Sequence, residues 1–276
     1  MAGRARSDRS TAVSLETAQY ISGACSGGLV GFTLGLVGGG GSILAVPLMI
    51  YLVGVPNPHV AIGTSALAVA ANAASGLAQH ARAGTVKWRC GFLYASSGVI
   101  GALAGATLGK AVDGQKLLLL FALLMIVVGI LMLRGRNSRG VGGEACNRHN
   151  APQVLGYGFG TGGFSGFFGI GGGFLIVPGL IASTRMPMLN AVGTSLVAVT
   201  AFGLTTALSY AASGLVDWAL AAAFVAGGIF GGTLGTRAAR GLSSRGGLTT
   251  VFAILIFAVA TFMLFRSASA LLDAAA

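Results

Sequence analysis

Apolar runs occupy most of the chain, separated by short polar stretches. Val60–Ala81, Gly91–Gly109 and Leu117–Leu133 come first, and Asn190–Ala212, Trp218–Thr236 and Gly247–Phe265 follow. Each approaches the 20 or so residues that carry a helix across a bilayer, so each predicts a membrane helix. Two further runs are different. Tyr20–Val53 has 34 residues and Val154–Thr184 has 31. Both are too long for one straight span, and both contain a glycine cluster near the middle: "LVGGGGSILAVP" at Leu36–Pro47 and "FFGIGGGFLIVP" at Phe167–Pro178. Each glycine costs a helix roughly 1 kcal/mol relative to Ala. Such a segment is either one long, kinked helix or the two arms of a re-entrant hairpin.

The two glycine clusters belong to a longer correspondence. Gly31, Gly35, Gly38, Gly40, Gly41, Val46, Pro47 and Pro56 map onto Gly162, Gly166, Gly169, Gly171, Gly172, Val177, Pro178 and Pro187. "GTS" at Gly63–Ser65 maps onto "GTS" at Gly193–Ser195, and Gly84 and Trp88 onto Gly214 and Trp218. Gly98, Gly101 and Gly105 then map onto Gly228, Gly231 and Gly235. Such an ordered series reads as an internal duplication. The expected organisation is a polar basic tail (1–19), a first transmembrane repeat (20–134), a basic Gly-rich linker (135–153), a second repeat (154–266) and a C-terminal tail (267–276). The fold class is an all-α polytopic membrane protein of two homologous four-segment repeats, each opening with a glycine-broken helix.

Composition agrees. Hydrophobic residues make up 54% of the 276 and charged ones 8%, against about 25% charged in a soluble domain. Mean hydropathy is +0.84. The first residues are too polar for a secretory signal, so no cleaved signal is expected. The net charge of +11 lies in short loops rather than along one face, which suits positive-inside topology and argues against a nucleic-acid partner. If both long segments span, there are eight crossings and 11 of 17 basic residues fall inside; if both re-enter, six remain and the count is again 11 of 17. Re-entry fits every loop except the N-terminal tail and makes the repeats an inverted pair, an arrangement common among transporters. Cys25, Cys90 and Cys146 have neither metal-like spacing nor an even count, and read as small apolar fillers plus one loop thiol.

Glycines spaced at four, such as Gly27/Gly31/Gly35 and Gly158/Gly162/Gly166, are the pattern that lets membrane helices approach closely. The central clusters are too dense for that alone. Irregular backbone at membrane depth is tolerated only where it is buried in protein or lines a wet cavity. A break there also exposes the N-terminus of a second arm, expected near Ser42 and Phe174, whose N–H groups suit an anion. All six carboxylates lie in tails, loops or at a span edge, so a carboxylate proton relay is not expected. The candidate anion ligands are therefore backbone and hydroxyl groups: Gly40, Gly41, Ser42, Thr64, Ser65, Gly171, Gly172, Gly173, Thr194 and Ser195, with amide donors from Asn72 and Gln79. A single hydroxyl more often bonds back to its own helix, and only the paired motifs lift these four GTS positions as a group. His80, near a span end, reads as an interfacial snorkelling residue ahead of a pH-sensitive gate. No metal or cofactor is called for.

"GLVGGGGSILAVPLM" and "GFFGIGGGFLIVPGL", followed by "AIGTS" and "AVGTS", resemble the sulfite exporter TauE/SafE family. "GTVKW" at Gly84–Trp88, "GLVDW" at Gly214–Trp218 and "GGTLGTR" at Gly231–Arg237 add to the resemblance, which covers about residues 20–266. It implies a multi-pass permease of the cytoplasmic membrane that moves sulfite or a small organosulfur anion, compatible with a homo-oligomer. The alternatives are a transporter of another small anion or a non-transport membrane assembly partner. Lys87 stands where the second half has Asp217, and Gly39 where it has Ile170, so the halves are not equivalent. "GFSG" at Gly163–Gly166 matches an intramembrane serine protease motif, but all three histidines precede Ser165. "GFGTGG" at Gly158–Gly163 is a formal dinucleotide motif with no preceding strand and no later acidic residue.

Overall fold

The structure, a computed structural model, describes residues 2–134, 146, 150–169, 173–243, 254, 257–261 and 265. Its described elements are helical. In chain order they are α1 (Ala2–Val37), a 3-10 turn (Gly38–Leu44), α2 (Ala45–Tyr51), α3 (Pro58–Arg82), α4 (Trp88–Lys110) and α5 (Gly114–Arg134). The second half supplies α6 (Ala151–Phe168), α7 (Gly173–Thr184), α8 (Met188–Ala211) and α9 (Trp218–Ser243). Five described segments are long and apolar enough to cross a membrane: Thr17–Tyr51, Pro58–Arg82, Trp88–Lys110, Met188–Ala211 and Trp218–Ala239. The polar N-terminal stretch is continuous with α1. Most of the expected Gly247–Phe265 span, and of the 135–153 linker, lies outside the described residues.

Glycine stripes set the helix pairs. A Cβ on Gly27, Gly31 or Gly35 of α1 would overlap the backbone of Phe224, Gly228 or Gly232 in α9. Gly101, Gly105 and Gly109 of α4 meet Phe159, Gly163 and Phe167 of α6 in the same way. The packing reading of these glycines is therefore correct, and each pair joins one half of the chain to the other.

The same contacts give the helix directions. Residue numbers rise together along α1 and α9, and along α3 and α9, where Gly63 meets Leu215 and Asn72 meets Gly228. They also rise together along α4 and α6, and along α4 and α8, where Gly91 meets Val197 and Gly98 meets Phe202. Between α3 and α8 they run oppositely: Gly76 faces Leu196 while Gly203 faces Ala66 and Ala70. Helices α1, α3 and α9 thus point one way, and α4, α6 and α8 the other.

Since α1 and α3 are parallel and consecutive, the chain must turn back between them. It does so at the first glycine cluster. Gly38 terminates α1 in the left-handed conformation (φ +67°), which favours glycine. Gly41 then lies against the backbone of Thr33 and Leu34, with its carbonyl 3.3 Å from Thr33 Oγ1. In a continuing helix those residues would be more than 10 Å apart at 1.5 Å per residue. Gly169 (φ +66°) ends α6 likewise, and α7 returns so that Gly179 lies 3.4 Å, at an added Cβ, from the Thr161 side chain. The second arm of the first hairpin starts as an α-helix at Ala45, not near Ser42, because the glycines coil into the tighter 3-10 turn. Pro47 falls in the first turn of α2, where its missing N–H costs nothing. Pro178 lies inside α7.

Exposed apolar side chains, among them Phe92, Ile100 and Leu108 on α4 and Phe230 on α9, form the outer surface. Trp88 and Trp218 are half-exposed or more at the N-termini of α4 and α9, which lie at opposite ends of the bundle. Phe121 of α5 packs on Phe168 and Phe174, beside the second turn-back.

The cysteines correct the sequence reading. Cys90 and Cys146 form a disulfide with Cα atoms 5.4 Å apart, and Cys25 is the free thiol among the described residues. Fifty-six residues separate the pair in sequence, so only the tertiary structure brings them together. After mild oxidation, the SDS-denatured protein is expected to titrate one thiol per chain without reductant and three with it, as read by maleimide mass shift.

Candidate functional site

The two breaks meet. Gly39 and Gly173 are in backbone contact: a Cβ on either would clash with the other residue, and one on Gly39 would also lie 2.6 Å from Val199 Cγ2. Ser195 Oγ accepts from Gly39 N–H at 3.1 Å and donates to Val192 C=O at 2.7 Å. Gly38 sits beside Val192 and Ser195. An N–H freed by the break is therefore satisfied by the other half of the chain. The cluster lies in the interior, with Gly38 to Ile43, Phe174, Val192, Ser195 and Val199 all buried.

The remaining candidates are dispersed. Gly40 is buried in the 3-10 turn, and Gly41 packs on the end of α1. Ser42 Oγ donates to Gly39 C=O at 2.9 Å, and Ser65 Oγ to Ile62 C=O at 3.0 Å, so both bond to their own segment. Gly173 opens α7 at the meeting point. Gly171 and Gly172 lie outside the described residues.

Thr64 and Thr194 do something else. Thr64 Oγ1 accepts from Asp217 N–H at 2.9 Å, and Thr194 Oγ1 accepts from Lys87 N–H at 2.9 Å. Each threonine anchors the residue that precedes a Trp-led helix of the other half. The antiparallel register of α3 and α8 puts the two threonines towards opposite ends of that pair, so they do not share a pocket. The adjacent glycines make room for these loops: an added Cβ on Gly63 would overlap Leu215 C=O, and one on Gly193 would lie 2.7 Å from Thr85 Oγ1.

Asn72 has the least ordinary environment. It is 4% exposed, lies against Gly228 of α9, and neither its amide nitrogen nor its amide oxygen has a hydrogen-bond partner. Leaving a buried polar atom unpaired costs about 1–3 kcal/mol. The α3–α8 register sets Asn72 near the level of Val199, whose side chain touches Gly39. The offset that aligns the GTS motifs matches Asn72 with Phe202, whose ring fills the equivalent space beside Gly98. An amide thus lies beside Gly228 where a ring lies beside Gly98. Ser26, Ser165, Thr206 and Tyr210 carry further buried hydroxyls without hydrogen-bond partners. Among the described residues Ser165 has no histidine beside it: the His80 ring bonds Thr85, and the His59 ring stacks on Tyr210.

His80 is not a snorkelling residue. It is 1% exposed, with Nδ1 2.9 Å from Thr85 Oγ1 and Nε2 3.5 Å from Gly35 C=O. Sequence reading missed this because the span end at Ala81 places His80 at the surface only if no neighbour covers it; α1 does. At the opposite end, Lys110 Nζ donates to Ser209 C=O at 3.2 Å and to the Ser209 and Ser213 hydroxyls, tying the C-termini of α4 and α8 together. No group of three or more metal-ligating side chains occurs among the described residues.

The chain matches the family model described as sulfite exporter TauE/SafE over residues 23–263. A "probable membrane transporter protein" of Xylella fastidiosa (strain 9a5c) is 54% identical over 249 residues, covering 88% of this chain and 94% of its own. The "probable membrane transporter protein YunE" of Bacillus subtilis is 28% identical over 240 residues, 79% of this chain and 88% of its own. A similarly named protein of Methanocaldococcus jannaschii, MJ0441, is 27% identical over 191 residues. No solved structure matches.

Thr64→Val and Thr194→Val each strand one loop N–H. Each is expected to cost about 1 kcal/mol, additively because the sites are distant, as a lowered melting temperature in detergent. Thr→Ser at either position should restore it.

Proposed function

The chain belongs to the sulfite exporter TauE/SafE family, which makes it a membrane transporter, and we propose that it carries sulfite or a small organosulfur anion through a site where its two glycine breaks meet. The observation that carries this reading is the contact of Gly39 with Gly173 in the protein interior, with the unpartnered Asn72 amide near the same level. An anion there would find the Asn72 amide donor and the N–H groups at the start of α7, which the helix dipole makes partly positive. No Asp, Glu, Lys or Arg side chain is buried among the described residues, so the anion would be held by neutral donors. That matters for release: a neutral site grips an ion less tightly than a buried cation would.

In this reading the two turn-backs are re-entrant hairpins in the membrane and the two halves are an inverted pair. The opposed directions of the helix sets support it, as does the placing of Trp88 and Trp218 at opposite ends, where interfacial aromatic residues belong. With both hairpins returning, Arg82, Lys87, Arg89, Arg134, Arg136, Arg139, Arg148, Arg185, Arg237, Arg240 and Arg245 fall on one side, with Glu144 the one acid there. The positive-inside rule makes that side cytoplasmic and puts both termini opposite. The protein is then a multi-pass protein of the cytoplasmic membrane.

One observation favours the reverse sidedness: the Cys90–Cys146 disulfide lies at the basic end, and disulfides persist in oxidising compartments. A reporter fused after Ala276 separates the two. Reading outside, it supports the charge assignment; reading cytoplasmic, it overturns that assignment and puts the disulfide on the oxidising side.

Transport itself is tested by flux of sulfite, sulfate, thiosulfate, sulfoacetate and a carboxylate control into proteoliposomes. Saturable flux of a sulfur anion is expected. Asn72→Leu, close in size but without donors, should reduce it roughly 10-fold or more while the protein stays monodisperse, since a hydrogen bond to a charged group is worth about 1.5–3 kcal/mol. Undiminished flux in that variant would move the site away from Asn72.

A further inference from the structure

We propose that the transported anion moves between the central site and the end opposite the basic loops along one face of α8. The Thr206 and Tyr210 hydroxyls are its stepping points and Lys110 stands at the mouth; this rests on the transport reading above. The first break sets the face. Ser195 and Val199 of α8 touch Gly39 there. Thr206 follows Ser195, and Tyr210 follows Val199, by eleven residues, about three helical turns, so the four share one side of the helix. Tyr210 then lies roughly 16 Å along the axis from Val199, towards the C-terminal end of α8.

Both hydroxyls are buried and uncommitted. Thr206 and Tyr210 are each 0% exposed, and neither oxygen has a hydrogen-bond partner. A threonine inside a helix can bond the carbonyl one turn back. Thr200 and Thr205 of the same helix do so, to Leu196 and Ala201, at 2.7 Å each. Thr206 does not. Neighbouring polar groups are unpartnered too. Gly166 meets Ala102 while Gly98 meets Phe202, which sets Ser165 of α6 near the level of Thr206, and its hydroxyl is also unbonded. The His59 ring stacks on Tyr210 with centroids 6.4 Å apart, and its buried Nδ1 has no hydrogen-bond partner. Such unpaired atoms oppose folding, and an anion that accepts hydrogen bonds in transit gives them a use. Towards the basic end the matching positions differ. The offset that aligns the GTS motifs pairs Thr206 with Gly76 and Tyr210 with His80. Gly76 faces Leu196, and the His80 ring bonds Thr85.

The charge at this end suits an anion. Among the described side chains Lys110 is the one charged group that is not exposed. Its ammonium lies 5.7 Å from the centre of the Tyr210 ring, and the oxygens that hold it, on Ser209 and Ser213, are neutral. Asp113 and Asp217 lie at the same end but are exposed, and each turns Oδ1 to the start of the helix that follows. There they take Lys116 N–H and Leu220 N–H. A half-buried cation held by neutral oxygens raises the local concentration of anions. The hydroxyls beyond it donate to the ion yet grip it less tightly than a second charge would.

The test uses the full-length protein, with flux of sulfite and sulfoacetate in proteoliposomes read beside the melting temperature in detergent. Thr206→Val and Tyr210→Phe each remove one hydroxyl at nearly constant volume. Each is expected to lower saturated flux about fivefold or more, because a donor to the ion is lost. The melting temperature should stay level or rise, because no hydrogen bond within the protein is lost. Thr206→Ser keeps the hydroxyl and should keep the flux. Lys110→Gln should raise the half-saturating concentration about threefold or more. Full flux in Thr206→Val or Tyr210→Phe, or an unchanged half-saturation in Lys110→Gln, overturns the proposal. So does a loss of flux matched by a lowered melting temperature, which is what a packing role produces. Should one hydroxyl variant fail to fold, the other decides. Flux lost in Asn72→Leu but full in both hydroxyl variants overturns the route and keeps the central site. Absence of any wild-type flux instead removes the transport reading on which the route stands.

Discussion

A backbone N–H or C=O removed from water must find a partner inside the protein, and in a bilayer there is no solvent to supply one. Much that is unusual in this chain follows from having two places where a helix stops in the protein interior. Gly38 and Gly169 end α1 and α6 in left-handed conformations, and the amide groups released there have to be answered. For the first break one answer comes from each half: Ser195 of α8 takes Gly39 N–H, and His80 of α3 approaches Gly35 C=O. The breaks are tolerable because the two halves interlock around them.

The interlocking depends on glycine in a second way. α1 runs directly against α9 and α4 against α6, with backbone where side chains would ordinarily stand. Each of these pairs crosses between the halves, so neither half forms a separate body. Thr64 and Thr194 complete the cross-connection at opposite ends by holding the residues before α9 and α4. In packing terms these motifs are fasteners that fix where the Trp-led helices begin, which explains why a hydroxyl, and not merely a small residue, follows each glycine.

The halves differ where chemistry would be expected. Asn72 stands where the other half has Phe202, and His80 where it has Tyr210. Phe202 is a buried ring and Tyr210 a buried ring whose hydroxyl has no hydrogen-bond partner; Asn72 is a buried amide without one, and His80 a buried base whose ring bonds Thr85.

Much of this was legible in the residues alone. Hydropathy and length gave the helices, from α3 as Val60–Ala81 against Pro58–Arg82 to α9, because apolar runs of that length have few alternatives in a bilayer. Glycine spacing gave the close helix pairs, and the matched clusters gave the two breaks, since both are properties of local backbone. The reversal at the first glycine cluster was one of two readings the residues left open; which helix each stripe meets was not legible, nor that Cys90 meets Cys146, nor that α1 covers His80. Those depend on partners distant in sequence. The residues determined where this chain can bend and approach; the tertiary structure decided what lies opposite each bend, because a freed amide, a thiol or an imidazole acquires its role only from the group that packing brings to it.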